Sequence, residues 1–167
     1  YGVAVLRKFQ PFWFVAENVG GLASANDGAA FKTILTSMKD AGYRVYPHLY
    51  KFEDYGVPQS RHRIIIVGIR SDQPYSFSPP SPDALERRDN SARAALETPP
   101  IPSNVANNER TAMNPRVVER LNYIKPGQNA FSADLPAHLQ LHIRGAKISQ
   151  IYKRLDPNKP AYTVTGS

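Results

Sequence analysis

The sequence predicts an α/β fold, a partial twisted sheet with helices on it, followed by a small irregular second region. Three observations predict it. The run Pro11-Phe12-Trp13-Phe14-Val15-Ala16 is continuously apolar, the mark of a strand covered on both faces. Phe31, Ile34, Leu35 and Met38 recur at helical spacing and make one apolar face. Arg63 to Ile69 is rich in β-branched residues and reads as a further strand.

Between these elements the punctuation is consistent. Gly20-Gly21 permits a sharp turn after the first strand. Asn26 or Asp27 is suited to cap the helix, and Gly42 stands where a glycine follows a helix C-terminus. Tyr43-Arg44-Val45-Tyr46 reads as a strand ending near Pro47, because proline cannot donate to a ladder. A loop from about Lys51 to Arg61 holds Gly56 and Pro58. Two or three strands make only part of a stable sheet. We therefore expect residues 1–70 to be a portion of a larger α/β domain.

Composition shifts near residue 71. Ten of the 15 prolines lie between Gln73 and Pro136. Periodicity is weak there, apart from a short helix expected near Asn114 to Tyr123. Apolar residues return at Val117, Val118, Leu121, Ile124, Leu139 and Leu141, so a small second domain is expected over residues 71–153. Residues 154–167 read as a turn and a short strand returning toward the first domain.

Bulk properties narrow the function. Net charge is +7, which favours an anionic partner. There are no cysteines, so the chain itself supplies no disulfide, thiolate metal site or Cys nucleophile. No apolar stretch approaches the roughly 20 residues of a membrane span, and no secretory leader precedes the first strand. Tyr1-Gly2-Val3-Ala4-Val5-Leu6 is apolar at once and lacks an initiator Met, so the chain is expected to be an excised piece of a longer protein, with a processed natural terminus as the alternative.

Two strings carry chemistry. Glu17-Asn18-Val19 ends the first apolar run. A carboxyl there sits where α/β folds place their sites, outside the strand ends. It could equally serve a salt bridge or the glycine turn. The second string is Tyr55-Gly56-Val57-Pro58-Gln59-Ser60-Arg61-His62-Arg63. If extended, it points Gln59, Arg61 and Arg63 one way, a donor-rich comb suited to phosphate or a base carbonyl. A solvated edge with protective arginines would look the same. His138 and His142 are four residues apart, but no third ligand accompanies them, and packing is the expected role.

Taken together the strings resemble DNA (cytosine-5)-methyltransferases. The family carries Glu-Asn-Val after a strand and, later, Gly-Val-Pro followed by Gln-x-Arg-x-Arg. Ile124-Lys125-Pro126-Gly127-Gln128-Asn129 with Leu135-Pro136 is similar to the end of its target-recognition domain. Arg154-Leu155-Asp156-Pro157 through Thr163-Val164-Thr165 is similar to its penultimate motif. Residues 71–116 match nothing that we can name. The resemblance implies a partial Rossmann-like methyltransferase sheet with a target-recognition domain. The implied activity is base flipping and methyl transfer from S-adenosylmethionine to cytosine, in settings that include restriction–modification.

The implied roles are specific. Glu17 would hold the cytosine N3 edge, and Arg63 the base carbonyl and a nearby phosphate. Arg61 would bind backbone phosphate or brace the loop, Gln59 would position, and Asn18 would fix the turn. Arg110, Arg116, Arg120, Arg144 and Lys147 would be available to DNA, with Arg144-Gly145-Ala146-Lys147 as the groove-facing loop. The family's Pro-Cys motif, glycine-rich cofactor motif and terminal motif are absent. The chain alone is therefore expected to be inactive and to bind S-adenosylmethionine weakly or not at all. The expected partners are double-stranded DNA and the missing N-terminal part of the catalytic domain, with no membrane. The expected location is the bacterial cytoplasm at the nucleoid. The alternative is a non-catalytic DNA-binding module or accessory subunit on the same scaffold.

Overall fold

The computed structural model describes residues 1–23, 28–86, 88–106, 108, 112–142 and 151–163. The chain divides into two units, Tyr1–Gly56 with Arg61–Arg87, and Val57–Ser60 with Arg88–Ser167.

The first unit opens with α1, Gly2–Phe9, an element that the sequence reading did not anticipate. Val3 and Leu6 fall three apart on it and turn toward the core, while Arg7 and Lys8 stand in its last turn, where cations oppose the helix dipole. Then follow β1 (Trp13–Val19), α2 (Ala29–Asp40), β2 (Tyr43–Lys51), a 3-10 turn (Phe52–Tyr55) and β4 (His62–Arg70). The strands form a sheet in the order β1-β4-β2, with both pairings antiparallel. This is the mixed α/β architecture with an open sheet that the sequence predicts.

One face of the sheet is the core. Phe14 and Ala16 of β1, Ile64 and Ile66 of β4, and Tyr43 and Val45 of β2 meet Leu6 of α1 and the α2 row Phe31, Ile34, Leu35 and Met38. The Phe14 ring lies edge-on to Tyr43, 5.2 Å between centroids. It also covers Gly68, its register partner, so closely that a Cβ there would stand 2.0 Å from the ring.

Two expectations are corrected. The apolar run at β1 is covered on one face only: Trp13, Val15 and Val19 alternate outward and are exposed. A continuous apolar run does not reveal which face finds a cover. β2 also continues through Pro47 to Lys51. It is an edge strand, and an edge strand uses only alternate N–H groups, so a proline whose missing donor would face outward costs no ladder bond. The helix cap expected at Asn26 or Asp27 lies outside the described residues. Gly42 does follow α2, at φ +95°, a conformation that suits glycine.

The second unit holds β3 (Gln59–Ser60), α3 (Ala92–Glu97), α4 (Pro115–Tyr123) and β5 (Ala161–Tyr162). β3 and β5 pair in parallel. Asn114 caps α4, its Oδ1 accepting from the Arg116 N–H at 2.9 Å, and Pro115 occupies the first turn, where its missing donor is harmless. Ile124, Ala130, Leu135 and Leu139 form the core of this unit, with Leu121, Leu141 and Tyr152 against it.

Candidate functional site

The register fixes what shares the outer face of the sheet. Val19 of β1 lies beside Arg63 of β4, which lies beside Tyr50 of β2; the next row is Glu17, Ile65 and His48. Side chains two apart along a strand share a face, so Glu17 and Arg63 are diagonal neighbours. Arg63 Nε stands 2.7 Å from Glu17 Oε1. The Glu17 side chain is 55% exposed and that of Arg63 only 17%. The arginine is therefore held by the fold, and the acid meets solvent. Arg63 also donates an Nη1 hydrogen bond to the His62 carbonyl at 2.8 Å.

The turn after β1 permits this arrangement. Asn18 Oδ1 accepts from the Val19 N–H at 2.8 Å, the local bond expected of an Asn that fixes a turn. A Cβ at Gly20 would stand 3.3 Å from His62 Cβ and 3.4 Å from Leu49, so glycine lets the turn approach β4. Val19, Gly20, Gly21, Leu49, His62 and Arg63 line a concavity of about 380 Å³ at this end of the sheet.

The sequence reading missed Glu53. From the 3-10 turn after β2, its Oε2 accepts from the Arg61 N–H at 3.2 Å, and its Oε1 stands 2.6 Å from His62 Nε2. The Phe52 N–H donates to the Arg61 carbonyl at 3.0 Å. Glu53 thus ties the start of β4, and with it Arg63, to the preceding turn. A carboxylate eight residues before an arginine gives no periodic signal, so only the folded loop reveals it. Tyr50, in the row of Arg63, has its phenol pKa raised by burial and, secondarily, by Tyr55.

Of the comb of Gln59, Arg61 and Arg63, Gln59 lies in β3 and Arg63 in β4, with Arg61 between the two strands. Gln59 belongs to the second unit, paired with Ala161, and borders an apolar hollow of about 450 Å³ with Pro58, Ala95, Leu96 and Leu155. Arg110, Arg144 and Lys147 lie outside the described residues. Arg120 is not open to DNA: it is buried, donates from Nε to the Leu139 carbonyl at 2.7 Å, and lies over the Tyr152 ring. Arg116 bonds the His138 carbonyl. His138 stands 3.0 Å from Glu119 Oε1, and no metal-ligand cluster occurs among the described residues. Nor is any described helix long and apolar enough to cross a membrane.

The site thus presents an accessible carboxyl in contact with a largely buried guanidinium. The chain also resembles known proteins. Residues 1–164 match the model of the C-5 cytosine-specific DNA methylases. The chain is 51% identical over 170 residues to the type II methyltransferase M.BbvI of Brevibacillus brevis, covering 100% of this chain and 45% of that protein. It is 36% identical over 159 residues to M.NgoFVII of Neisseria gonorrhoeae, covering 93% of this chain and 42% of that one. The chain thus spans less than half the length of these relatives. Its fold is also that of a crystal structure described as a prophage-encoded DNA modification methyltransferase (E. coli). That match has a TM-score of 0.54 at 20% identity, over 96% of this chain and 55% of the other. This chain belongs to the family of C-5 cytosine-specific DNA methylases.

Proposed function

We propose that this chain is the base-capturing and DNA-reading part of a cytosine-5 DNA methyltransferase, in which Glu17 and Arg63 hold the flipped target cytosine. The observation that carries this reading is the 2.7 Å contact between them on one sheet face. Cytosine offers N3 and its 2-carbonyl oxygen side by side on one edge. An acid and a guanidinium already in contact can span that edge, with the guanidinium donating to the carbonyl oxygen.

N3 of neutral cytosine is an acceptor, so the bond from Glu17 requires a protonated carboxyl. When a nucleophile adds at C6, electron density moves through the ring toward N3, and the Glu17 proton meets it there. Glu17, 55% exposed, is the partner that turns toward the base, while Arg63, 17% exposed, stays in place. Arg63 is also anchored by its bond to the His62 carbonyl.

The chain has no cysteine, so the thiolate must come from residues outside these 167, and the chain alone is inactive. S-adenosylmethionine supplies the methyl group in this family. The concavity beside Gly20 does not fit it: the space that Gly20 leaves is filled by His62 and Leu49, and no acidic side chain lines that concavity. No step here is routed through it. Residues 1–70 are assigned to the catalytic domain, residues 71–153 to target recognition, and residues 154–167 to a return segment. Gln59, Arg61, Arg144 and Lys147 are assigned to DNA contacts. The net charge of +7 suits a polyanion. The setting is a restriction–modification system of the bacterial cytoplasm. The missing cysteine equally supports an accessory subunit whose partner carries the nucleophile.

The test uses the chain joined with a polypeptide that supplies the rest of the enzyme. Glu17→Gln should slow methyl transfer by at least about 10²-fold and leave duplex affinity nearly unchanged. Equal loss of both would make Glu17 architectural.

A further inference from the structure

Arg63 is held from behind as well as in front. Its Nε faces Glu17, and its Nη1 donates to the carbonyl of His62. His62 is itself tied down, because its ring Nε2 stands 2.6 Å from Glu53 Oε1. The other oxygen of the same carboxyl, Oε2, accepts from the Arg61 N–H at 3.2 Å. The Arg61 carbonyl in turn accepts from the Phe52 N–H at 3.0 Å. Both residues before Arg63 are therefore bonded to one 3-10 turn. A continuous set of contacts runs from Glu53 through His62 to the Arg63 guanidinium.

The turn has supports of its own. The Phe52 ring stacks on Tyr50 with 6.4 Å between centroids, and the Tyr55 ring lies 5.4 Å from that of Tyr50. The Tyr55 hydroxyl donates to the Pro80 carbonyl at 2.9 Å. Tyr50 is buried and is the register partner of Arg63. Of the two acids in the turn, Asp54 is exposed, whereas the Glu53 side chain is only 19% exposed. A carboxyl withdrawn from water requires partners for its oxygens, and both of these have one.

A guanidinium that meets the edge of a base must be held within about 0.5 Å of its working place by the residues around it. We propose that Glu53 is a positioning residue for base capture. It sets the Arg63 guanidinium through the His62 ring and the Arg61 N–H, and it touches neither base nor phosphate. This inference rests on the proposed function for what Arg63 does. The fixing of Arg63 follows from the contacts themselves. Geometry, not charge, is what Glu53 supplies. Glutamine keeps an acceptor for the Arg61 N–H and offers an amide N–H to the ring nitrogen of His62. Glu53→Gln should therefore stand in for it, and Glu53→Ala should not.

In the full chain, nitrogen relaxation of the Arg63 Nε–H group in NMR reads how firmly the guanidinium is held. We expect an ordered group in the unaltered chain and in Glu53→Gln, and a mobile one in Glu53→Ala, with the same circular dichroism spectrum throughout. Should Glu53→Ala fail to fold, His62→Phe keeps a ring but offers no nitrogen to Glu53, and it should loosen Arg63 in the same measurement. In the reconstituted enzyme, Glu53→Ala should lower kcat by about 10–10²-fold with little change in KM for the duplex. Glu53→Gln should recover most of that loss. In an Arg63→Ala background, Glu53→Ala should cost nothing further, because the group it positions is gone. An Arg63 side chain equally ordered in every variant would overturn the proposal. So would full kcat in Glu53→Ala where Arg63→Ala is impaired, a Glu53→Gln enzyme as poor as Glu53→Ala, or losses that simply add. If Arg63→Ala itself transferred methyl groups at the ordinary rate, the proposed function would fail, and the relaxation result would still decide whether Glu53 holds Arg63.

Discussion

Gly68→Ala should destabilise the first unit through a single aromatic ring. Gly68 and Phe14 are register partners on the core face, and a Cβ at 68 would stand 2.0, 2.2 and 2.7 Å from three ring carbons. Ordinary contact begins at 3.4 Å, so the ring or the strand must retreat by roughly 1.4 Å. Phe14 is wedged edge-on against Tyr43, so retreat strains the sheet. Overpacking of this kind costs about 1–3 kcal/mol. Replacing glycine in a strand returns about 0.5–1 kcal/mol of backbone entropy. The clash wins, and the net cost should be about 1–2 kcal/mol. Urea unfolding followed by circular dichroism reads it as a lower midpoint at constant slope. In a Phe14→Ala background the same substitution should become neutral or stabilising, because the ring is gone. If Gly68→Ala stabilised the otherwise unaltered chain, or cost the same with and without the Phe14 ring, the packing argument would be refuted.

Other expectations follow from single contacts. Leu139 is fully buried in the core of the second unit, so Leu139→Ala should cost about 2–5 kcal/mol in the unfolding of that unit. Arg120→Met should cost about 1–3 kcal/mol in the same assay, because it strands the Leu139 carbonyl, and it should leave DNA affinity unchanged if Arg120 is structural. Asp72 accepts two hydrogen bonds from Arg70, at 2.8 and 3.0 Å, and this holds its carboxyl below the ordinary range. Because the folded value is depressed, the pair contributes above the unfolded carboxyl pKa and is lost as pH falls through the folded one. The Asp72 carboxyl carbon should therefore titrate in NMR at a lower pH than that of an ordinary aspartate, and Arg70→Ala should raise its midpoint.

What the sequence disclosed was chiefly what is local. The α2 face was legible because Phe31, Ile34, Leu35 and Met38 keep a helical period and no long-range partner is needed to see it. β4 was legible from its branched residues, and a short helix was expected near Asn114 to Tyr123, where α4 lies. Arg120 was misread as available, although it stands three residues after Val117 and four before Ile124, on the stripe that turns inward. Its neighbours carried the signal, and its charge concealed it. The α1 helix could have been found from Val3 and Leu6 with the basic last turn.

What remained hidden depends on partners remote in sequence. The one-sided cover of β1 was decided by which helices reach it. The pairing of Gln59 with Ala161 joins residues about a hundred apart in the chain. At the site, the motifs named Glu17 and Arg63, but their contact arises from the register of β1 on β4. Glu53 enters only when the loop closes. Motif and fold therefore supply different things: the residue types come from the first, and their convergence from the second.

The central claim is that Glu17 and Arg63 converge on one everted pyrimidine. A crystal structure of the reconstituted enzyme on a short cognate duplex tests it most directly. The account predicts the target cytosine outside the helix, with the Glu17 carboxyl at its N3 edge and the Arg63 guanidinium at its 2-carbonyl oxygen. A flipped cytosine held by other side chains, with the Glu17–Arg63 pair intact and turned away from it, would contradict the account.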